Sequence, residues 1–184
     1  MDSAILIKEA KDGSKGAQKC IYDTWSGKMM MVCRRYAKSS EDAEEIMLDG
    51  FFKFFKTISS FQYQSDAALH MWLKKIMINE CLMFLRKKNA FNMVSESAAA
   101  EIPLEEDVFN LLGAAEIFNL IVQLPIGYRT VFNLHVVEGL EHQEIAGILG
   151  ISEGTSKSQL SRAKTLLQKM LVSHGTTYVK RKIQ

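Results

Sequence analysis

Proline is nearly absent: Pro103 and Pro125 are the only two in 184 residues, and there are 11 glycines. A β-sandwich or small barrel turns the chain about every ten residues and needs such residues at its turns, so their scarcity favours long helices. Cysteine is scarce as well. Cys20, Cys33 and Cys81 are odd in number, widely spaced and form no C-x-x-C pair. That excludes a closed disulfide framework and suits a reducing compartment, with each thiol serving as a small buried hydrophobe. The four histidines, His70, His135, His142 and His174, lack metal-ligand spacing. His135 and His142 lie two helical turns apart, but no carboxylate or thiol completes a ligand set. Long apolar runs are missing too. Val108 to Leu124 is interrupted by Glu116 and stops at Pro125, and the opening Met-Asp-Ser-Ala-Ile-Leu-Ile-Lys is too short an apolar stretch for a signal peptide. The expected location is cytoplasmic.

The sequence offers no nucleophile–base–acid pattern, no glycine-rich phosphate loop and no paired metal ligands. It is therefore not expected to be an enzyme, or to bind a metal, a cofactor or a small-molecule substrate. With 47% hydrophobic and 24% charged residues, it has the composition of a folded globular chain rather than a disordered one.

What is present is charge in blocks. The net charge is only +2, yet five acids and no base lie between Lys38 and Lys53: Glu41, Asp42, Glu44, Glu45 and Asp49. Lys74, Lys75, Arg86, Lys87 and Lys88 follow, with Glu80 the one acid among them. From Glu96 through Glu144 there are nine acids and one base, Arg129; from Glu153 to the end there are seven bases and one acid. Clustered Lys and Arg are the electrostatic footprint of a polyanion partner, whereas an acidic block suits a basic one.

Apolar periodicity divides the chain into helices. Residues 3 to 36 carry two helical patterns broken near Gly13 and Gly16. Ser40 is the expected N-cap of the next helix, which runs to about Ile58 with Ile46, Met47, Phe51, Phe54 and Phe55 at helical spacing. Ser59 to Ala68 reads as a loop, and Leu69 to Lys88 as a further helix that buries Trp72, Leu73, Ile76 and Met77. Residues 91–104 are small, polar and end near Pro103, as a linker would. The expected fold is all-α: a helical domain over 1–90, a flexible linker over 91–104, a second helical domain over 105–175 with a helix-turn-helix, and a basic tail over 176–184.

The strongest local pattern spans 125 to 171. Pro125 suits the first turn of a helix and Gly139 its end. Gln143 to Leu149 is a short helix, Gly150 permits a tight turn, Ile151 plugs the angle, and Ser152 caps the next helix with Glu153 near its positive end. At 100° per residue Leu160, Ala163, Leu167 and Leu171 form one stripe. The opposite face carries Thr155, Ser158, Ser161, Arg162, Thr165 and Lys169, flanked by Lys157 and Lys164. This is a helix-turn-helix with a basic recognition face of the kind that enters a DNA major groove. From these residues alone three readings stay open: a polymerase specificity subunit, a helix-turn-helix regulator that acts without polymerase, and a helical inhibitor that mimics such a domain.

Three segments narrow the choice. Leu124-Pro125-Ile126-Gly127-Tyr128-Arg129-Thr130-Val131-Phe132, Glu138 to Ala146, and Gly150 to Ser158 resemble the promoter −35-reading domain of extracytoplasmic-function (ECF) sigma factors of the sigma-70 family. Glu41-Asp42-Ala43-Glu44-Glu45 with Phe51, and Trp72-Leu73 with Ile76, Asn79 and Arg86, resemble the other domain of that family, in the expected order. The resemblance implies core RNA polymerase and promoter DNA as partners, and a membrane anti-sigma factor as a further partner of a kind common in the family. It also implies site residues. Asp42, Glu45 and Asp49 would dock on core polymerase. Phe61, Lys74, Lys75 and Asn79 would meet the opened −10 element, with Tyr63 as an added stacking candidate. Arg129, Thr155, Lys157, Ser158, Ser161 and Arg162 would contact −35 DNA.

Overall fold

The computed structural model describes residues 3–88 and 114–182, and all regular structure in them is helical. The linker expected over 91–104 lies outside the described residues. The chain divides into two compact units, Met1–Lys88 and Asn89–Gln184. Among the described residues no helix is long and apolar enough to cross a membrane.

The first unit holds α1 (Ser3–Lys11), α2 (Lys15–Tyr36), α3 (Ser40–Thr57) and α4 (Asp66–Lys87). Gly13, at φ +86°, takes the left-handed turn between α1 and α2, where a side chain would be strained. Ser14 then caps α2 by accepting the Ala17 amide. The cap of α3 is Ser39 rather than Ser40: its Oγ accepts the Asp42 amide at 3.1 Å, and Ser40 is already the first helical residue. Glu41 and Asp42 thereby stand in the first turn, where the helix dipole favours acids. Ile58–Ser60 forms a single 3-10 turn, and Ser65 caps α4 through the Ala68 amide. The loop is thus shorter than expected, because the Ser65 cap starts the helix at Asp66, three residues before Leu69.

The core of this unit is the shared interior of α2, α3 and α4: Met29, Cys33, Tyr36, Phe54, Leu73, Met77 and Cys81 are all fully buried. Gly50 marks the closest approach of α3 to α4. A Cβ there would lie 2.3 Å from Met77 Sδ, so no larger residue fits without displacing a buried side chain. Phe51 and Phe54 are buried and Phe55 half-buried.

The second unit holds α5 (Ala114–Gln123), α6 (Ile126–Phe132), α7 (His142–Leu149) and α8 (Glu153–Lys182). Pro125 is the N-cap of α6, one position before the first turn. After α6 the chain widens into a π-helical segment, Asn133–Val137, which Gly139 ends at φ +75°. Leu120 and Leu124 pack against Ala163, Leu167 and Leu171, so the predicted stripe of α8 is the core. Helix α8 continues unbroken to Lys182, through most of the segment expected as a separate tail.

Candidate nucleic-acid interface

The helix-turn-helix is α7, a short turn and α8. Glu141 and Glu144 make a capping box at the start of α7, with the Glu144 carboxylate accepting the Glu141 amide at 2.9 Å. Gly150 turns the chain at φ +68°, and the amides of Gly150 and Ile151 both reach the Ala146 carbonyl. Ser152 Oγ then accepts the Thr155 amide at 3.0 Å, which starts α8. A bond between the two helices sets their angle. His142 Nδ1 and Ser156 Oγ are 2.9 Å apart, and Ser156 is fully buried. The His142 ring also stacks on His135, centroids 4.4 Å apart and planes within 10°. A carbonyl only accepts, so His135 carries its proton on Nδ1, which donates to Leu140 O at 2.8 Å. Partial burial and the neighbouring His135 and Lys157 hold the His142 pKa below its ordinary value, against the pull of Glu141 and Glu153.

The first turns of α8 present Lys157 and Ser158 to solvent, with Ser161 and Arg162 half-exposed. Lys157 Nζ is 2.6 Å from the Glu153 carboxylate, a surface pair that salt weakens. Ser158 donates to the Thr155 carbonyl, and the Thr155 hydroxyl pairs with Ser152 Oγ at 2.8 Å. The hydroxyls of Thr155 and Ser158 are therefore engaged within the chain, while the guanidinium of Arg162 and the ammonium of Lys157 supply the positive character of this face.

In the first unit an aromatic stack stands at the end of α3. The Phe61 ring lies flat on Trp72, centroids 4.6 Å apart and planes within 7°, and Trp72 leans on buried Phe54 at 5.0 Å. Trp72, Lys75 and Asn79 are spaced three and four apart and share one face of α4. Lys75 and Asn79 are exposed. Across the unit, the outer face of α3 exposes Glu41, Glu44, Glu45 and Asp49 around Leu48 and Phe52, and Phe52 is 69% exposed.

This arrangement has counterparts among known proteins. The sequence model of sigma-70 region 2 matches residues 21–91, and that of sigma-70 region 4 matches residues 114–167. The ECF RNA polymerase sigma factor SigW of Bacillus subtilis is 29% identical over 178 residues, 90% of this chain and 94% of SigW. The ECF sigma factor SigM of Mycobacterium tuberculosis is 29% identical over 171 residues, 92% of this chain and 84% of SigM. The chain is an ECF sigma factor of the sigma-70 family. A solved structure, the sigma factor RpoE of Bartonella quintana in complex with the anti-sigma factor NepR, superposes at a TM-score of 0.49 with 23% identity, covering 84% of this chain and 96% of that one.

Four residues of this sigma factor that the sequence places on a contact face sit differently in the structure. Arg129 does not reach the surface: it is 2% exposed, and its Nη1 donates to the Val122 carbonyl at 2.6 Å. The orphan carbonyls and negative dipole at the end of α5 draw the cation inward, and burial lowers its pKa. Arg129 joins α5 to α6 and leaves the DNA-facing set. Thr165 is also buried. Three helices, α5, α6 and α7, pack on α8, so its polar face does not run the helix's whole length. Lys74 is half-buried and lies off the face shared by Trp72, Lys75 and Asn79. Asp42 is half-buried and bonds Lys88 Nζ at 2.8 Å.

Three features escape the sequence reading. Phe52 is exposed beside the acids of α3 because it falls one position past the buried Met47–Phe51–Phe54 stripe, a signal present in the spacing. Trp72, expected in the core, is half-buried and supports Phe61. The His135–His142–Ser156 link depends on the turn at Gly139 and has no signature in the spacing.

Proposed function

We propose that this sigma factor divides three contacts between its two units. The outer face of α3, through Glu45 and Asp49 with Leu48 and Phe52, docks on a basic surface of core RNA polymerase. Acids ringing an exposed aromatic form a surface on which charge steers the encounter and the ring is desolvated. The first turns of α8 enter duplex DNA at the −35 element, Arg162 reading a base edge and Lys157 and Ser161 lining the phosphates, while Thr155 and Ser158 shape the face between them. The Phe61–Trp72 stack offers a flat aromatic surface to an unstacked base of the −10 element, with Lys75 and Asn79 along the same helix face for backbone and base. A linker over 91–104 joins the units, so that both elements are engaged at once.

The observation that carries this reading is the split of charge by unit. An acidic helix face with exposed Phe52 belongs to the region 2 match, and a basic recognition helix to the region 4 match. Run-off transcription with purified core polymerase on a promoter panel tests it. Stimulation on a subset of promoters, together with co-elution with core, is the expected result. DNA binding without any stimulation or co-elution would instead make the chain a helix-turn-helix regulator independent of polymerase.

A further inference from the structure

Helix α1 precedes the segment matched by the region 2 model, which begins at residue 21. It is nonetheless tied to the loop that leads into α4, and at both ends. At its C-terminal end Lys11 Nζ donates to the Phe61 carbonyl. At its N-terminal end the Ser3 side chain stands beside the Asp66 carboxylate and helps hold its pKa below the ordinary value, and that carboxylate accepts the Tyr63 hydroxyl at 2.9 Å. Ser3 and Lys11 are separated by eight helical steps, about 12 Å of rigid rod. The loop between Phe61 and Asp66 thus has both its ends fastened to one helix. These fastenings are not what holds α1 in place: Ile7 and Ala10 are each 2% exposed and anchor it to the unit, whereas Lys11 is exposed.

We infer that α1 is a brace for the −10 loop, with Lys11 and Ser3 as positioning residues that hold Phe61 flat on Trp72 before DNA arrives. This rests on the proposed role of Phe61 at the opened strand. A loop that is ordered in advance does not lose that freedom on capturing a base, so capture is tighter and strand opening faster. Neither residue needs to touch DNA. Lys11 holds a backbone carbonyl, so Phe61 is aimed through its main chain while its ring remains available on one side.

The test compares wild type, Lys11→Met, Lys11→Arg and Ser3→Ala, each as full chain reconstituted with core polymerase. Promoter opening is followed by permanganate reactivity of −10 thymines. In the free proteins, acrylamide quenching of tryptophan is weighted to half-buried Trp72 because Trp25 is buried. Lys11→Met is expected to slow opening about five-fold and to raise quenching, Ser3→Ala to do both less strongly, and Lys11→Arg to keep wild-type behaviour. Co-elution with core, −35 duplex binding and thermal midpoint should stay unchanged. Wild-type quenching in both Lys11→Met and Ser3→Ala would overturn the brace. So would slower opening at unaltered quenching, which would make Lys11 a direct DNA contact. Failure of the wild type to open any promoter would defeat the functional reading, while the quenching comparison would still decide the brace.

Discussion

The two units handle charge in opposite ways. In the first, α3 and α4 lie side by side and bond across: Lys53 reaches Glu80 at 2.7 Å, and Lys88 reaches Asp42 at 2.8 Å. In the second, the one base of the long acidic stretch, Arg129, is turned inward to a carbonyl, and the cations of α8 are left facing outward. A block of like charge in a sequence therefore predicts a surface field only when no helix packed beside it turns opposite charge onto it. Helix α7 packs on the first turns of α8, but its acids Glu141 and Glu144 are engaged in its own capping box, and the basic block of α8 becomes a basic face. Helix α3 lies beside α4, so its acidic block loses Asp42 to Lys88 and keeps Glu45 and Asp49.

The contrast can be broken or sharpened by substitution. The largest effect is expected from Arg129→Ala, which strips a cation from the end of α5 and leaves a buried cavity and an unpaired carbonyl. Calorimetry should show the second unit destabilised by about 3 kcal/mol. A change confined to DNA affinity, with unaltered unfolding, would return Arg129 to the interface. Arg162→Ala should do the reverse, weakening −35 duplex binding about ten-fold at unchanged stability and unchanged co-elution with core. Fluorescence anisotropy with labelled duplex measures the first, and equal loss of core binding would mean that the helix face has been misassigned.

A smaller effect concerns pH. The His142 pKa is lowered in the folded unit, so the unfolded chain takes up its proton first as pH falls. Stability from this group is fully present above the ordinary histidine value of about 6.5 and declines as pH drops through the folded value. Denaturation midpoints of the second unit should fall on acidification from about pH 7 to pH 5, and His142→Gln should flatten that dependence. If the slope survives in the variant, other groups are responsible. The smallest effect is expected from Asp42→Asn. Losing an ion pair with one partner half-exposed should cost well under about 1 kcal/mol. Its co-elution with core should remain close to wild type, whereas Asp49→Lys should abolish it; equal losses in the two would put Asp42 back in the docking face.

Elements governed by neighbours along the chain are legible in the amino-acid sequence. The stripe of Leu160, Ala163, Leu167 and Leu171, the left-handed turns at Gly139 and Gly150, and the Ser152 cap all depend on helical periodicity and on which residues tolerate positive φ, and both are local properties. The start of α3 differs from the expected one by one residue because the adjacent hydroxyls of Ser39 and Ser40 compete for one cap, and that of α4 by three because Ser65 caps it before the apolar stripe begins at Leu69.

The amino-acid sequence alone determined that this chain is helical, how its polar and apolar residues alternate, and where positive and negative charge accumulate. Those properties follow from backbone sterics and side-chain chemistry within a few turns of helix. Only the tertiary structure decided which charges meet a partner: Arg129 in the interior, Asp42 beside Lys88, Ser156 on His142, and Lys11 on the Phe61 carbonyl. Such contacts join residues 7 to 50 positions apart, and their occurrence depends on how whole helices pack rather than on any spacing within one of them.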